Sequence, residues 1–258
     1  MIALAMLLAA AIAGQGLEER LTASAAPAGV TWVGYRVPMI STSRRLCCDG
    51  CRLETGGASS ASTRVVLEPP RELLVLARFE NRAITRVRTF TPDCDIDATG
   101  TTLVWLTGVT PADSVAWLSS AVSSASATPD ARNRIIGPAL SALAFQAGDP
   151  AAQALIGVAR TNPNSRVRGQ ALFWTAQRAG EQALAAIGSA IDNDPETDVK
   201  KRAVFALSQM PADQGIPKLI EVARSHRNVE VRKQAFFWLG QSKDPRALAF
   251  LEEILLKR

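Results

Sequence analysis

The C-terminal half of this chain repeats itself. Residues 167–174 read Val-Arg-Gly-Gln-Ala-Leu-Phe-Trp, residues 199–206 read Val-Lys-Lys-Arg-Ala-Val-Phe-Ala, and residues 231–238 read Val-Arg-Lys-Gln-Ala-Phe-Phe-Trp. The offset is 32 residues in both steps, and each copy closes on a glutamine in one register: Gln177, Gln209 and Gln241. Such a period, carried on helical patterning, marks an α-solenoid, where each helix pair buries its apolar face on the next. One pair could not do this alone, so the repeat constrains the architecture before any single helix is considered. It also constrains function, because stacked repeats present extended binding surfaces.

From Thr110 the chain reads as helix-turn-helix to its end. Thr110 stands at an N-cap, Pro111 at the first helical position and Asp113 in the first turn. The pattern predicts helices at 111–125, 130–147, 150–160, 165–178, 181–192, 197–209, 214–225, 229–241 and 245–257. Breakers separate them at 124–129, 148–150, 162–164, 192–195, Pro211 and 244–245. One period back from Val167 and Ala171 stand Ile135 and Ala139, so 130–147 reads as a degenerate earlier copy. Residues 110–258 are therefore expected to hold about four helix pairs and a capping helix.

The segments Asp-Val-Lys-Lys-Arg-Ala-Val-Phe-Ala-Leu at 198–207 and Glu-Val-Arg-Lys-Gln-Ala at 230–235 resemble the second helix of HEAT repeats. The closest flavour is the short form also seen in phycobilin-lyase-like proteins. The resemblance covers about residues 111–257. It implies a scaffold or adaptor with a protein or peptide partner, although a few arrays of this kind are lyases.

The first half reads differently. Alternating stretches rich in strand formers at 32–39, 64–67, 72–79, 83–90 and 101–106 predict a small β-rich module over 28–109, with a turn at Glu80-Asn81-Arg82. The whole chain is thus expected to be α+β, and 47% hydrophobic residues against 21% charged suffice for a core. Residues 14–27 are small and polar and read as a linker. Residues 2–13 are apolar throughout, too short to span a bilayer but fitting a signal peptide over 1–13, with Ala11-Ile12-Ala13 as the cleavage pattern. This predicts periplasmic or secreted protein, with no membrane span once the signal is removed.

Cys47, Cys48, Cys51 and Cys94 fit that expectation as an even set outside the repeats. Adjacent cysteines bond each other poorly, because neighbouring Cα atoms sit closer than a disulfide needs. A bridge from Cys94 to the 47–51 cluster is the natural long-range pairing. A Cys₄ zinc site and a Cys48/Cys51 redox pair are the alternatives, and they define a rival function centred on this cluster.

On a helical wheel Val199, Ala203, Ala206, Leu207 and Met210 form the core face of their helix. Phe205 falls on the opposite side with Lys201, Arg202, Ser208 and Gln209. Phe173 with Gln177 and Phe237 with Gln241, near Lys233, repeat the arrangement. The expected partner-binding set is therefore Phe173, Gln177, Lys201, Arg202, Phe205, Gln209, Lys233, Phe237 and Gln241. Side-chain amides there can bond a peptide backbone, and the aromatics add buried area. The competing arrangement packs Phe and Gln sideways between repeats. Trp174 and Trp238 read as core packing. Arg168, Lys200 and Arg232 read as an ion-pair ladder between repeats, or as a basic groove.

His226 is the single histidine and reads as a solvated surface residue, so histidine-based triads and multi-histidine zinc sites are hard to build. No glycine-rich phosphate motif is present. The reading is a non-enzymatic binding protein without a cofactor. The net charge of +5 is spread without long like-charge runs, which gives no indication of a nucleic-acid partner.

Overall fold

The structure is a computed structural model and describes residues 16–40, 46, 71–94, 96–126 and 128–256. The expected signal segment, the 64–67 strand and Cys47, Cys48 and Cys51 lie outside the described residues. The architecture is α+β: a small mixed sheet followed by helices to the end of the chain. Contacts divide it into two compact units, Met1–Pro150 and Ala151–Arg258.

Among the described residues the first unit has four strands: β1 (Val30–Pro38), β2 (Glu72–Glu80), β3 (Ala83–Phe90) and β4 (Thr102–Trp105), in the order β3-β2-β1-β4. β1 pairs antiparallel with β2 and parallel with β4, and β2 pairs antiparallel with β3. Asn81 and Arg82 take positive φ to make the tight β2–β3 turn that the sequence predicts. Central strands bury both faces, which is why Leu73-Leu74-Val75-Leu76-Ala77 runs apolar without alternating. Trp32, Leu74, Leu76 and Phe90 pack on one face, with Cys94, Ile96 and Leu103 against them.

Among the described residues three helices complete this unit. α1 (Leu17–Ser24) occupies the segment that reads as a linker, and it docks through the buried side chains of Leu17 and Leu21. α2 (Pro111–Ser124) starts in a full capping box, with Thr110 Oγ1 accepting from Asp113 N–H and the Asp113 carboxylate accepting from Thr110 N–H. α3 is made of abutting segments Pro129–Ala131, Arg132–Ile136 and Gly137–Phe145, the middle one π-helical. Pro138 lacks the N–H that would bond Arg134 O, and Gly137 N–H instead reaches back to Arg132 O. α3 contacts α2, β2 and β3. Contact thus groups the first predicted helix pair with the sheet. A buried chain of hydrogen bonds ties Tyr35 Oη to Ser114 Oγ (2.9 Å) and Ser114 Oγ to Gln146 Oε1 (2.7 Å).

The second unit alternates first helices α4 (Asp149–Thr161), α6 (Glu181–Asn193), α8 (Ala212–Ser225) and α10 (Pro245–Leu256) with second helices α5 (Ser165–Arg178), α7 (Thr197–Ser208) and α9 (Val229–Gln241). Second helices stack in sequence, α5 on α7 and α7 on α9. Their core register is the predicted one: Val167, Val199 and Val231 are buried, as are Ala171, Ala203 and Ala235. Among the described residues no helix is long and apolar enough to cross a membrane.

Candidate functional site

The turn that launches each second helix is built the same way three times. Asn162 Oδ1 accepts from Asn164 N–H (3.0 Å), Asp194 Oδ1 from Glu196 N–H (2.9 Å) and His226 Nδ1 from Asn228 N–H (3.1 Å). These acceptors are one period apart. His226 is therefore a turn residue: it is buried, and its Nε2 lies 3.2 Å from Ile191 O. Nδ1 accepts, so Nε2 carries the proton in the neutral ring. This corrects the expectation of a solvated histidine.

A second register closes the ends of the first helices. Arg168 donates to Asn162 O (2.9 Å), Lys200 to Ile191 O (2.9 Å) and Asp192 O (2.7 Å), and Arg232 to His226 O (2.6 Å). Late carbonyls of a helix have no intrahelical donor, and cations suit that end. Only Arg168 also makes an ion pair with the next repeat, forking onto both oxygens of Asp194 at 2.8 and 2.9 Å. The expected ion-pair ladder is therefore a capping device with one buried salt bridge. Burial pushes the Asp194 carboxyl up, but hydrogen bonds from Arg168 and Glu196 outweigh it and hold it below the carboxylate range. Burial, reinforced by Arg227, lowers Lys200 from its ordinary value.

With the helices so placed, the predicted face can be read residue by residue. Phe173 and Phe205 are half-buried and stack on each other across α5 and α7, with centroids 5.9 Å apart and planes at 7°. Phe205 continues to Trp238 at 4.9 Å, and Trp238 meets Phe237 edge-on at 5.0 Å. Trp174 closes the other end against Phe173 at 5.1 Å. Both tryptophans are half-buried members of this aromatic run, a correction to their assignment as core. Ala206 stands between them in the same register, and there the ring in the run is that of Phe205. The Trp238 indole N–H is buried and meets no acceptor among the described residues.

The phenylalanines thus combine both expected arrangements, one ring face packing between repeats while the row stays partly open. Phe237 is 53% exposed. Gln209 and Gln241 are exposed and Gln177 is half-buried. Gln209 Nε2 donates to Ser208 Oγ at 3.1 Å. Lys201 pairs loosely with Asp198 (3.9 Å) and Lys233 with Glu230 (3.0 Å). Arg202 is exposed and lays its stem over Gly169, where a Cβ would collide with it.

Of the four cysteines, Cys94 alone is described. Its Sγ lies 3.2 Å from Leu46 O and 3.4 Å from Thr91 Oγ1, and Thr91 Oγ1 accepts from Leu46 N–H (3.3 Å). Cys94 therefore sits beside the chain where the cysteine cluster begins. Among the described residues no group of histidine, cysteine and carboxylate side chains could hold a metal ion.

No curated protein matches the chain. The sequence model of the HEAT-repeat family matches residues 184–258, which covers α7 to α10 and all but the start of α6. The matched span takes in the second and third copies of the 32-residue period, so residues 184–258 are similar to HEAT repeats, and the first copy shares their turn acceptors, capping cations and core register.

Proposed function

We propose that this protein is an exported, non-enzymatic scaffold that binds a protein or peptide partner across its row of second helices. The observation that carries the reading is the aromatic run Trp174–Phe173–Phe205–Trp238–Phe237, which crosses α5, α7 and α9 and ends in an exposed phenylalanine. A run of rings held by inter-repeat packing is already ordered, so a partner that covers it forfeits little rotamer freedom. Gln177, Gln209 and Gln241 offer amides beside the rings, and Lys201, Arg202 and Lys233 give that edge a basic character.

The test is Phe237→Ala combined with Gln241→Ala. Both side chains are exposed, so folding should lose less than about 1 kcal/mol. Retention of partners by the immobilised protein should fall at least tenfold, the loss of one hot spot. Unchanged retention would end this reading of the face.

Export is supported by the apolar 2–13 segment, and the position of Cys94 beside Leu46 supports a disulfide to the 47–51 cluster. Such a bridge closes a loop of more than 40 residues and stabilises by about 3 to 4 kcal/mol in the chain-entropy picture. N-terminal sequencing of mature protein should begin near Gly14. Four titratable thiols in metal-free native protein would refute the bridge.

A further inference from the structure

Two clefts open between successive first helices, and their linings are one period apart. The first lies between α4 and α6, has a volume of about 200 Å³, and is lined by Ile156, Ala159, Leu172, Ala186 and Ala190 with Arg160 at its mouth. The second lies between α6 and α8 and is lined by Asp192, Glu221, Ser225, His226 and Arg227. A shift of 32 turns Arg160 into Asp192, Ser189 into Glu221 and Asp194 into His226. The same cleft is thus built twice with different chemistry.

The apolar floor survives only in the first. Lys218 stands where Ala186 stands one period earlier, and Gly188 where Ile156 does. The Lys218 stem covers Gly188, its Cε 3.5 Å from where a Cβ would sit, and Glu221 holds its Nζ at 2.6 Å. In the first cleft alanine replaces this lid and the space stays open. Asp194 also lines it, but both of its oxygens are taken by Arg168. Arg160, exposed and at the mouth, supplies the charge that a ligand would meet.

We propose that this cleft binds a small organic carboxylate with an aryl or branched-alkyl body. The body would fill the floor, since cavities of about 150 Å³ already accommodate a benzene ring. The carboxylate would take the Arg160 guanidinium, the donor best matched to it in geometry. The site belongs to the first-helix layer and stands apart from the second-helix face, so either proposal can fail alone.

The experiment is a titration of the full chain with 3-phenylpropionate, read by amide resonances. The resonances of Ile156, Arg160, Ser189 and Ala190 should move together, with Kd of about 1 mM or tighter, while those of Glu221 and Ser225 stay in place. The uncharged alcohol 3-phenylpropanol, or Arg160→Gln with the acid, should bind about tenfold more weakly, the size of one lost charge-assisted contact. Ala186→Lys paired with Ile156→Gly and Ser189→Glu imports the lid of the next repeat together with its glycine seat and its carboxylate, and should abolish the shifts with folding intact. Acetyl-glycyl-phenylalanine separates the two sources of such a group. Tighter binding than the free acid assigns the site to a peptide C-terminus, and weaker binding assigns it to a free metabolite. Absent or scattered shifts, full binding by the triple variant, or equal binding by Arg160→Gln would overturn the proposal.

Discussion

Arg168 shows how much one side chain can carry here. It caps a helix end, spans two repeats and neutralises a buried carboxylate. Arg168→Met would leave Asp194 buried without its partner, which typically costs about 3 to 5 kcal/mol, so a urea melt near neutral pH should show a loss in that range. The pH dependence follows from the direction of the Asp194 shift. Its carboxyl is held below the ordinary range in the folded state, so the stabilisation is present above that range and disappears as pH falls through the lowered value. The gap between wild type and Arg168→Met should therefore close in acid. A gap that stays constant from neutral to strongly acidic pH would place the stabilisation elsewhere. His226 allows a comparison against the chain's own copies. His226→Asn restores the residue used at 162 and keeps an acceptor for Asn228 N–H while losing the Nε2 contact to Ile191 O, so it should cost less than His226→Leu, which loses both and should cost about 1 to 3 kcal/mol. The role of this histidine was written in the sequence as Asn162, Asp194 and His226 at equal spacing. Read singly, beside Arg224 and Arg227, it looked like a surface residue.

At the scale of the element, helix ends were the most legible feature, because their signals are local. Thr110-Pro111, Asn162-Pro163-Asn164 and Asp244-Pro245 each act within one turn, and the helices begin and end within a few residues of the predicted positions. α1 was not legible as a helix. Its Ala, Gly and Ser surroundings suggest a linker, and only packing of Leu17 and Leu21 gives it a reason to fold. The π-helical segment before Pro138 depends on which distant side chains accept the widened turn, and that information is not local. Capping offers a prediction from register. Asn164 and Asn228 each accept two backbone N–H groups at the start of their helices, whereas Glu196 makes no side-chain cap at the equivalent place. Asn228→Ala should cost about 1 kcal/mol and Glu196→Asn should gain up to about 1 kcal/mol in urea melts. Equal effects of opposite sign to these would mean that the turns, and not the caps, set these helix starts.

The second unit is a repeat stack whose second-helix surface carries the aromatic run. The sequence disclosed that the phenylalanines recur on one face. It could not disclose that the Trp174 and Trp238 rings join them, since a wheel places those positions toward the core. Nor could it set how deeply Phe205 is held. Stacked on Phe173 and touching Trp238, this residue is part of the scaffold, and Phe205→Ala should cost about 2 kcal/mol or more in a thermal or urea melt. A cost below about 0.5 kcal/mol would mean that the rings are independent surface groups.

Whether this surface is the partner-binding face is open to one direct measurement. A photo-crosslinking amino acid can be placed at Phe237, the exposed end of the run, and separately at Ala185, exposed on first helix α6. Irradiation in cells that make the protein should give a discrete covalent adduct from 237 and none from 185. Adducts from 185 alone, or from neither position with folding intact, would contradict binding through the second-helix row.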